Sequence, residues 1–96
     1  MMNFITGSQA RQLIEENNAQ LLDVRNPNEF IAGSAPGAVN IPVHMIPHMA
    51  HQLETDKPIV VYCLSGGRSA QAQMILNSMG FNQVHNVGSL QNFMGS

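Results

Sequence analysis

Apolar residues fall along this chain in two rhythms. Between Thr6 and Asn18, Ala10, Leu13 and Ile14 recur three and four positions apart, the spacing of one helical face. Thr6 followed by Gln9 has the form of a capping box, so a helix is predicted from about Gly7 to Asn17, released at Asn17-Asn18. The rhythm then changes. Gln20-Leu21-Leu22-Asp23-Val24 is a short apolar run, predicted as a buried strand that ends at Asp23-Val24-Arg25. Asn26-Pro27-Asn28-Glu29-Phe30 reads as a turn opening a short helix, with Asn26 as cap and Pro27 at the first position. Gly33 to Ala38 is a loop, and Val39-Asn40-Ile41 is a brief strand halted by Pro42.

From Val43 to Leu53 the helical spacing is poorer and contains Pro47, so a first turn beginning near Pro47 is expected. Pro58-Ile59-Val60-Val61-Tyr62-Cys63 is apolar on both faces, the mark of a central strand in a parallel sheet. Ser69 to Met79 is predicted as a helix with Ala70, Met74, Ile75 and Met79 turned inward. Gly80 closes it as a left-handed cap, with Phe81 folding back onto Leu76. Gln83-Val84-His85-Asn86-Val87 supplies a last strand, followed by a short tail containing Leu90 and Phe93. Helices alternating with buried strands predict an α/β fold: a mostly parallel central sheet with helices on both faces, residues 1–96 forming one domain. Ligands of such sheets sit beyond the carboxyl ends of the strands. Asp23-Val24-Arg25 and Tyr62-Cys63 are therefore expected to face one cleft.

Composition narrows the chemistry. Only 10% of the 96 residues are charged and the formal net charge is −2, so no basic footprint exists for nucleic acid or an anionic membrane surface. Any anion must be held by backbone N–H groups and one or two arginines. No stretch reaches the roughly 18 apolar residues of a membrane span, and Met1-Met2-Asn3-Phe4 lacks a targeting pattern. The single cysteine cannot form an internal disulfide, so a cytoplasmic, reducing setting is the expectation. Any persulfide or disulfide on it must be resolved by another molecule.

That cysteine, Cys63, ends the apolar strand and is followed by Leu64-Ser65-Gly66-Gly67-Arg68-Ser69. With Cys63 at a strand's end and Ser69 opening a helix, the five residues Leu64 to Arg68 must turn back in a tight loop with inward amides. Gly66 and Gly67 permit positive φ and let backbone close around a small group. Inward N–H groups form an anion nest, the helix start adds its positive end, and Arg68 adds a fork of donors. Together these favour a thiolate, and a cysteine of ordinary pKa about 8.5 can fall several units in such surroundings. Cys63 is thus the candidate nucleophile. The plain alternative, a small buried hydrophobe beside a turn, fits a mid-strand cysteine better than one at this position.

Several of these segments, in order and over nearly the whole chain, resemble the rhodanese family of sulfurtransferases in its single-domain form. Leu22-Asp23-Val24-Arg25 with Glu29-Phe30 resembles the family's first strand and turn. Pro36-Gly37-Ala38-Val39-Asn40-Ile41-Pro42 resembles its PGAxNIP segment, and Val60-Val61-Tyr62-Cys63 through Gly66, Arg68 and Ser69 its active-site loop. The resemblance implies that Cys63 takes the outer sulfur of a donor such as thiosulfate or a low-molecular-weight persulfide. It would then pass that sulfur to a thiol, to cyanide in an assay, or to an acceptor protein, with no cofactor and no metal. The amides of Leu64, Ser65, Gly66, Gly67 and Arg68 would bind the persulfide's charge. Asp23 and Arg25 would lie beside the loop and line the entrance, Asp23 by holding loop amides; a surface pair of Arg25 with Glu29 is the other reading of that arginine.

The chain departs from the family at Leu64, where good thiosulfate enzymes often carry a basic residue, and at Ser34, Ser89 and Phe93, where histidine, glycine and tryptophan are usual. Weak thiosulfate turnover is expected from the first. Cysteine-based phosphatases place five residues between cysteine and arginine and this chain has four, so phosphatase or arsenate reductase activity is the minor alternative. A persulfide carrier or interaction module without small-molecule turnover is the other. His44, His48 and His51 share a helical spacing, but Pro47 interrupts it and a solvated face is expected rather than a metal site.

Overall fold

In the computed structural model, which describes residues 3–95, the chain begins its regular structure where the capping box stands. The Thr6 hydroxyl accepts from the Gln9 N–H at 3.0 Å and the Gln9 side chain accepts from the Thr6 N–H at 2.9 Å, opening helix α1 (Gly7–Asn17). Asn18 ends α1 in the left-handed region at φ 56°, a conformation that asparagine tolerates. The strands are β1 (Gln20–Asp23), β2 (Val39–Asn40), β3 (Ile59–Cys63) and β4 (Val84–Ser89). They pair in parallel in the order β2-β1-β3-β4. Helix α2 (Pro27–Ala32) follows β1, and the short α3 (Ile46–Met49) lies between two 3-10 turns, Val43–Met45 and Ala50–Gln52. Helices α4 (Gly67–Ser78) and α5 (Leu90–Gly95) complete the α/β fold.

The sheet is buried on both sides, as the continuous apolar run in β3 demands. Leu22, Ile59, Val61 and Cys63 face one layer, where Ile46 and Ala50 from the α3 segment meet Ala72 and Leu76 from α4. Leu21, Val60 and Tyr62 face the other, against Ala10 of α1 and Phe93 of α5. Ile59 to Tyr62 are 0% exposed, and each such side chain contributes about 1.5–3 kcal/mol relative to an exposed one.

Three elements differ from the sequence expectation. Helix α4 begins at Gly67, two residues before Ser69, because the positive φ of Gly66 lets the chain enter the helix directly. Its inner face is Ser69, Ala72 and Leu76, with Ile75 half-buried; Met74 is 73% exposed and Met79 42%. The expected stripe of Ala70, Met74, Ile75 and Met79 is thus displaced around the helix. The small Ser69 and Ala72 let α4 lie close to the sheet, and this contact, rather than hydrophobic spacing, sets the phase. The tail is itself a helix: the Ser89 hydroxyl accepts from the Asn92 N–H at 2.9 Å in the manner of an N-cap. Phe93 then stacks on Tyr62, ring centroids 6.3 Å apart. Gly80 is left-handed at φ 99° and Phe81 is buried beside Leu76, its N–H reaching the Leu76 carbonyl at 3.1 Å.

The first turn of α1 packs directly on α5. A Cβ on Gly7 would collide with the backbone carbonyl oxygens of Asn92 and Phe93. Gly7→Ala should therefore lower stability by about 1–3 kcal/mol, the usual cost of overpacking. A lowered urea midpoint at unchanged slope is the expected result, and an unchanged midpoint would show that α5 yields freely.

Candidate active site

Cys63 is the last residue of β3 and 1% exposed, its side chain in the layer shared with α4. Two residues, Leu64 and Ser65, separate it from Gly66, whose φ of 107° and ψ of −14° belong to glycine. This backbone turn aims the Gly66 N–H at the Cys63 sulfur, at 2.9 Å. The Ser69 hydroxyl stands 3.5 Å from the same sulfur, at the third position of α4. Leu64 is 65% exposed and turned to solvent, while Gly67 lies in the first turn of the helix.

Burial pushes the Cys63 thiol up. The Ser69 hydroxyl and the N–H dipoles of Ser69, Gly66 and Ser65 outweigh it, so the group sits below the ordinary thiol value. Of these amides only that of Gly66 meets full hydrogen-bond geometry with the sulfur. The inward ring expected from Leu64 to Arg68 is therefore narrower than the sequence suggests: one direct donor, with Ser65 and Ser69 acting as dipoles.

The donors are held in turn by Asn86, buried on β4. Its Oδ1 lies 2.7 Å from the Ser69 hydroxyl, whose single proton serves either Asn86 or the Cys63 sulfur, and accepts from the Gly88 N–H at 2.8 Å, while its Nδ2 faces the Gly66 carbonyl at 3.4 Å. A bulge makes this possible. Val61 pairs with Asn86 but Tyr62 with Gly88, so Val87 is the extra residue, and Gly88 adopts φ 88°. The apolar context of β4 gave no sign of Asn86, and a polar residue flanked by a later glycine was the only available signal.

Arg68 does not point its fork at the sulfur. Its guanidinium meets both carboxylate oxygens of Glu29 at 2.7 and 3.2 Å, locking α2 to α4. Glu29 also accepts from the Asn26 N–H at 3.1 Å, closing the capping box of α2. The Arg68 guanidinium, and after it the Asn26 N–H, hold the Glu29 carboxyl down at about 2. Asn26 as cap and Pro27 at the first position marked a helix start in the sequence; the Glu29 contact to Asn26 and its partner in α4 were not visible there.

Asp23 and Arg25 occupy a different position from the one expected. In the sheet register Asp23 lies beside Tyr62, not Cys63, and successive side chains on a strand point to opposite faces. The Asp23 carboxylate accordingly binds the Tyr62 hydroxyl at 2.7 Å, the Arg25 N–H at 2.9 Å and the Arg25 guanidinium at 2.7 Å. It holds none of the amides of the Cys63 loop. Arg25 is 6% exposed, lies over the Tyr62 ring at 5.5 Å, and donates to the Gly33 carbonyl at 2.6 Å, so it neither pairs with Glu29 nor lines an open entrance. Tyr62 accepts from the Ala35 N–H at 3.0 Å, and burial pushes its hydroxyl up to about 12. This cluster pins the Gly33–Ala35 stretch beneath the sheet's carboxyl edge and supports the site from the opposite face. Asn40 of the PGAxNIP-like segment adds two bonds at 3.0 Å, to the Asp23 and Arg25 carbonyls. His44, His48 and His51 are exposed, and among the described residues no three groups are placed to hold a metal.

A family model for the rhodanese-like domain matches residues 6–95. The chain belongs to the rhodanese family. It is 36% identical over 76 residues to the thiosulfate sulfurtransferase GlpE of Pseudomonas syringae, covering 79% of this chain and 72% of that one. An uncharacterised Bacillus subtilis protein, YqhL, is 41% identical over 69 residues; these are 72% of this chain and 55% of that relative's length. Among solved structures, the human single-domain sulfurtransferase TSTD1 superposes with a TM-score of 0.79 at 29% identity, over 98% of this rhodanese chain and 96% of the human one.

The pair between Glu29 and Arg68 carries a pH signature. The folded value of Glu29, about 2, lies below that of an unfolded carboxylate, so the pair's stabilisation is complete above the ordinary carboxylate range. It is lost as pH falls from that range through about 2. Glu29→Gln should lower the melting temperature at neutral pH, and the gap to the parent should close as pH approaches the folded value. A gap that stays constant across that window would show that the charge plays no part.

Proposed function

We propose that this rhodanese is a sulfurtransferase that carries a sulfane sulfur on Cys63. The observation that supports it is the Gly66 N–H set 2.9 Å from a sulfur held below its ordinary pKa at the end of a central strand. The names of the similar proteins, sulfurtransferases among them, point the same way. In the first step the Cys63 thiolate attacks the outer sulfur of the donor. A new bond forms between the two sulfurs as the donor's own S–S bond breaks, and the electron pair leaves on sulfite from thiosulfate or on a thiolate from a persulfide. In the second step an acceptor thiolate, or cyanide in an assay, takes the terminal sulfur and the Cys63 thiolate returns. Splitting the transfer in two lets donor and acceptor use one site in turn.

The charges around the loop favour a donor poorer in charge than thiosulfate. The four Lys and Arg side chains are all engaged: Arg25 with Asp23, Arg68 with Glu29, Lys57 with Glu54, and Arg11 with the Phe93 carbonyl. Leu64 brings no cation to the rim. A dianion therefore meets backbone dipoles without a free positive side chain, whereas the persulfide of a small thiol or of a protein places a single negative sulfur at the loop. The same pairing of Arg68 disfavours a phosphoryl or arsenate group, which needs the arginine's fork. A thiolate-prone cysteine with no partner cysteine suits the reducing cytoplasm.

Incubation with glutathione persulfide should add one sulfur to the protein by mass, and Cys63→Ala should abolish the gain. Iodoacetamide reactivity should titrate below the ordinary thiol value; a midpoint at or above it, together with no sulfur adduct, would remove the enzymatic reading. In steady state kcat/KM should be higher for glutathione persulfide than for thiosulfate. Leu64→Lys should raise kcat/KM for thiosulfate by about fivefold, the equivalent of about 1 kcal/mol for one partly exposed charge pair. The gain should shrink as salt is added, and a thiosulfate rate indifferent to a cation at this position would refute the electrostatic explanation.

A further inference from the structure

We propose that Phe4 is a positioning residue for the thiolate site, acting through Gly66. The inference rests on Cys63 being the reactive group. Gly66 has no side chain to fix it, yet its N–H must stay on the sulfur in a backbone conformation, φ 107°, with many neighbours open to glycine. Its carbonyl side is secured by the Ala70 N–H at 2.9 Å and the Asn86 amide at 3.4 Å. Its other side is closed by the ring of Phe4, which occupies the space where a Gly66 Cβ would stand. The same ring covers Gly88, the second left-handed glycine of the site, 3.0 Å from the position of a Cβ there. One aromatic ring thus covers the bare backbone of both glycines whose positive φ shapes the loop and the bulge.

The ring is itself well anchored. Ile5, the next residue, donates its N–H to the Asn86 carbonyl at 2.9 Å and accepts from the Asn92 side chain at 3.2 Å. Phe4 therefore extends a segment tied to β4 and α5. At 42% exposure the ring leaves much of its surface in water while its inner side lies on the glycines. Without it, the atoms nearest that side of Gly66 are gone and the Ser65–Gly66 peptide is freer to rotate, which would carry the N–H away from the sulfur. Stability, by contrast, should depend on Phe4 less than on a core aromatic residue.

The test is the pH dependence of iodoacetamide reaction at Cys63 in the parent, Phe4→Ala, Phe4→Leu and a control, Phe81→Leu. Phe81 is buried at the far end of α4, so its truncation lowers stability without touching the loop. In Phe4→Ala the midpoint should move up by about half a unit, a threefold loss of thiolate at pH below the midpoint. Phe4→Leu should restore most of the shift, and Phe81→Leu should melt earlier with the parent's midpoint. Hydrogen exchange at the Gly66 amide should quicken in Phe4→Ala, and in Phe4→Leu to a lesser degree, so the leucine variant carries the test should the alanine variant not fold. A parent midpoint at the ordinary thiol value, together with no sulfur adduct from glutathione persulfide, sinks the sulfurtransferase reading and this inference with it. A low parent midpoint that neither Phe4 variant moves, with Gly66 exchange unchanged, sinks this inference alone; so does a shift of equal size in Phe81→Leu.

Discussion

A buried anion is tolerable only where dipoles replace the water it has lost, and at Cys63 they come from the Ser69 hydroxyl and the N–H groups of Ser69, Gly66 and Ser65, of which Gly66 alone aims a full hydrogen bond at the sulfur. Cys63 is 1% exposed, and burial by itself disfavours its thiolate. A hydrogen bond to a charged group contributes about 1.5–3 kcal/mol, and the one aimed most directly at this sulfur is a peptide N–H. Gly66 supplies it at 2.9 Å, and does so because φ of 107° turns its N–H inward while the chain passes straight into α4. Any side chain there would be strained by that angle and would meet the Phe4 ring. The Asn86 side chain, its Oδ1 beside the Ser69 hydroxyl and its Nδ2 donating to the Gly66 carbonyl, serves to keep that peptide where it is.

The two-residue period of β3 divides the labour around this point. Cys63 turns to the α4 layer and Tyr62 to the α1 and α5 layer, so adjacent residues anchor two polar networks on opposite sides of one sheet. The network under Tyr62 is saturated: its hydroxyl, the Asp23 carboxylate and the Arg25 guanidinium satisfy one another and the nearby backbone. A closed set of this kind rigidifies the strand ends without offering a free group to a substrate. It explains how Asp23 and Arg25, on the strand beside β3, stay on the face opposite Cys63 and support that strand end from behind.

Elements whose signals are local were legible in the sequence, and those set by register were not. Thr6 and Gln9 fix the start of α1 because both partners of the capping box lie within one turn. Asn26 and Pro27 do the same for α2. The phase of α4 was misread because Met74 and Met79 are apolar but face water, while the inward positions are the small Ser69 and Ala72, whose value lies in close approach rather than hydrophobicity. The opposite-face placement of Asp23 follows from its register with Tyr62, which no single strand encodes. Asn86 depends on the bulge at Val61/Tyr62, a product of pairing between β3 and β4. The position of Cys63 was legible, since a thiol at a strand end, followed by glycines and a helix start, is a local pattern.

Charge separates the chemistries such a loop could support. A phosphoryl group needs an arginine whose fork is open, because its oxygens carry charge outward from the nest and demand planar, bidentate donors. Here the fork is bonded to both oxygens of Glu29, whose carboxyl is held down to about 2 chiefly by that contact, so the guanidinium faces a carboxylate at neutral pH. What faces the Cys63 sulfur is backbone, the Gly66 N–H at 2.9 Å, and in the proposed function that is the donor a terminal persulfide sulfur would meet. By holding Arg68 against α2, the Glu29 carboxylate ties the loop's flank in place and occupies the guanidinium fork that would otherwise stand free beside the loop.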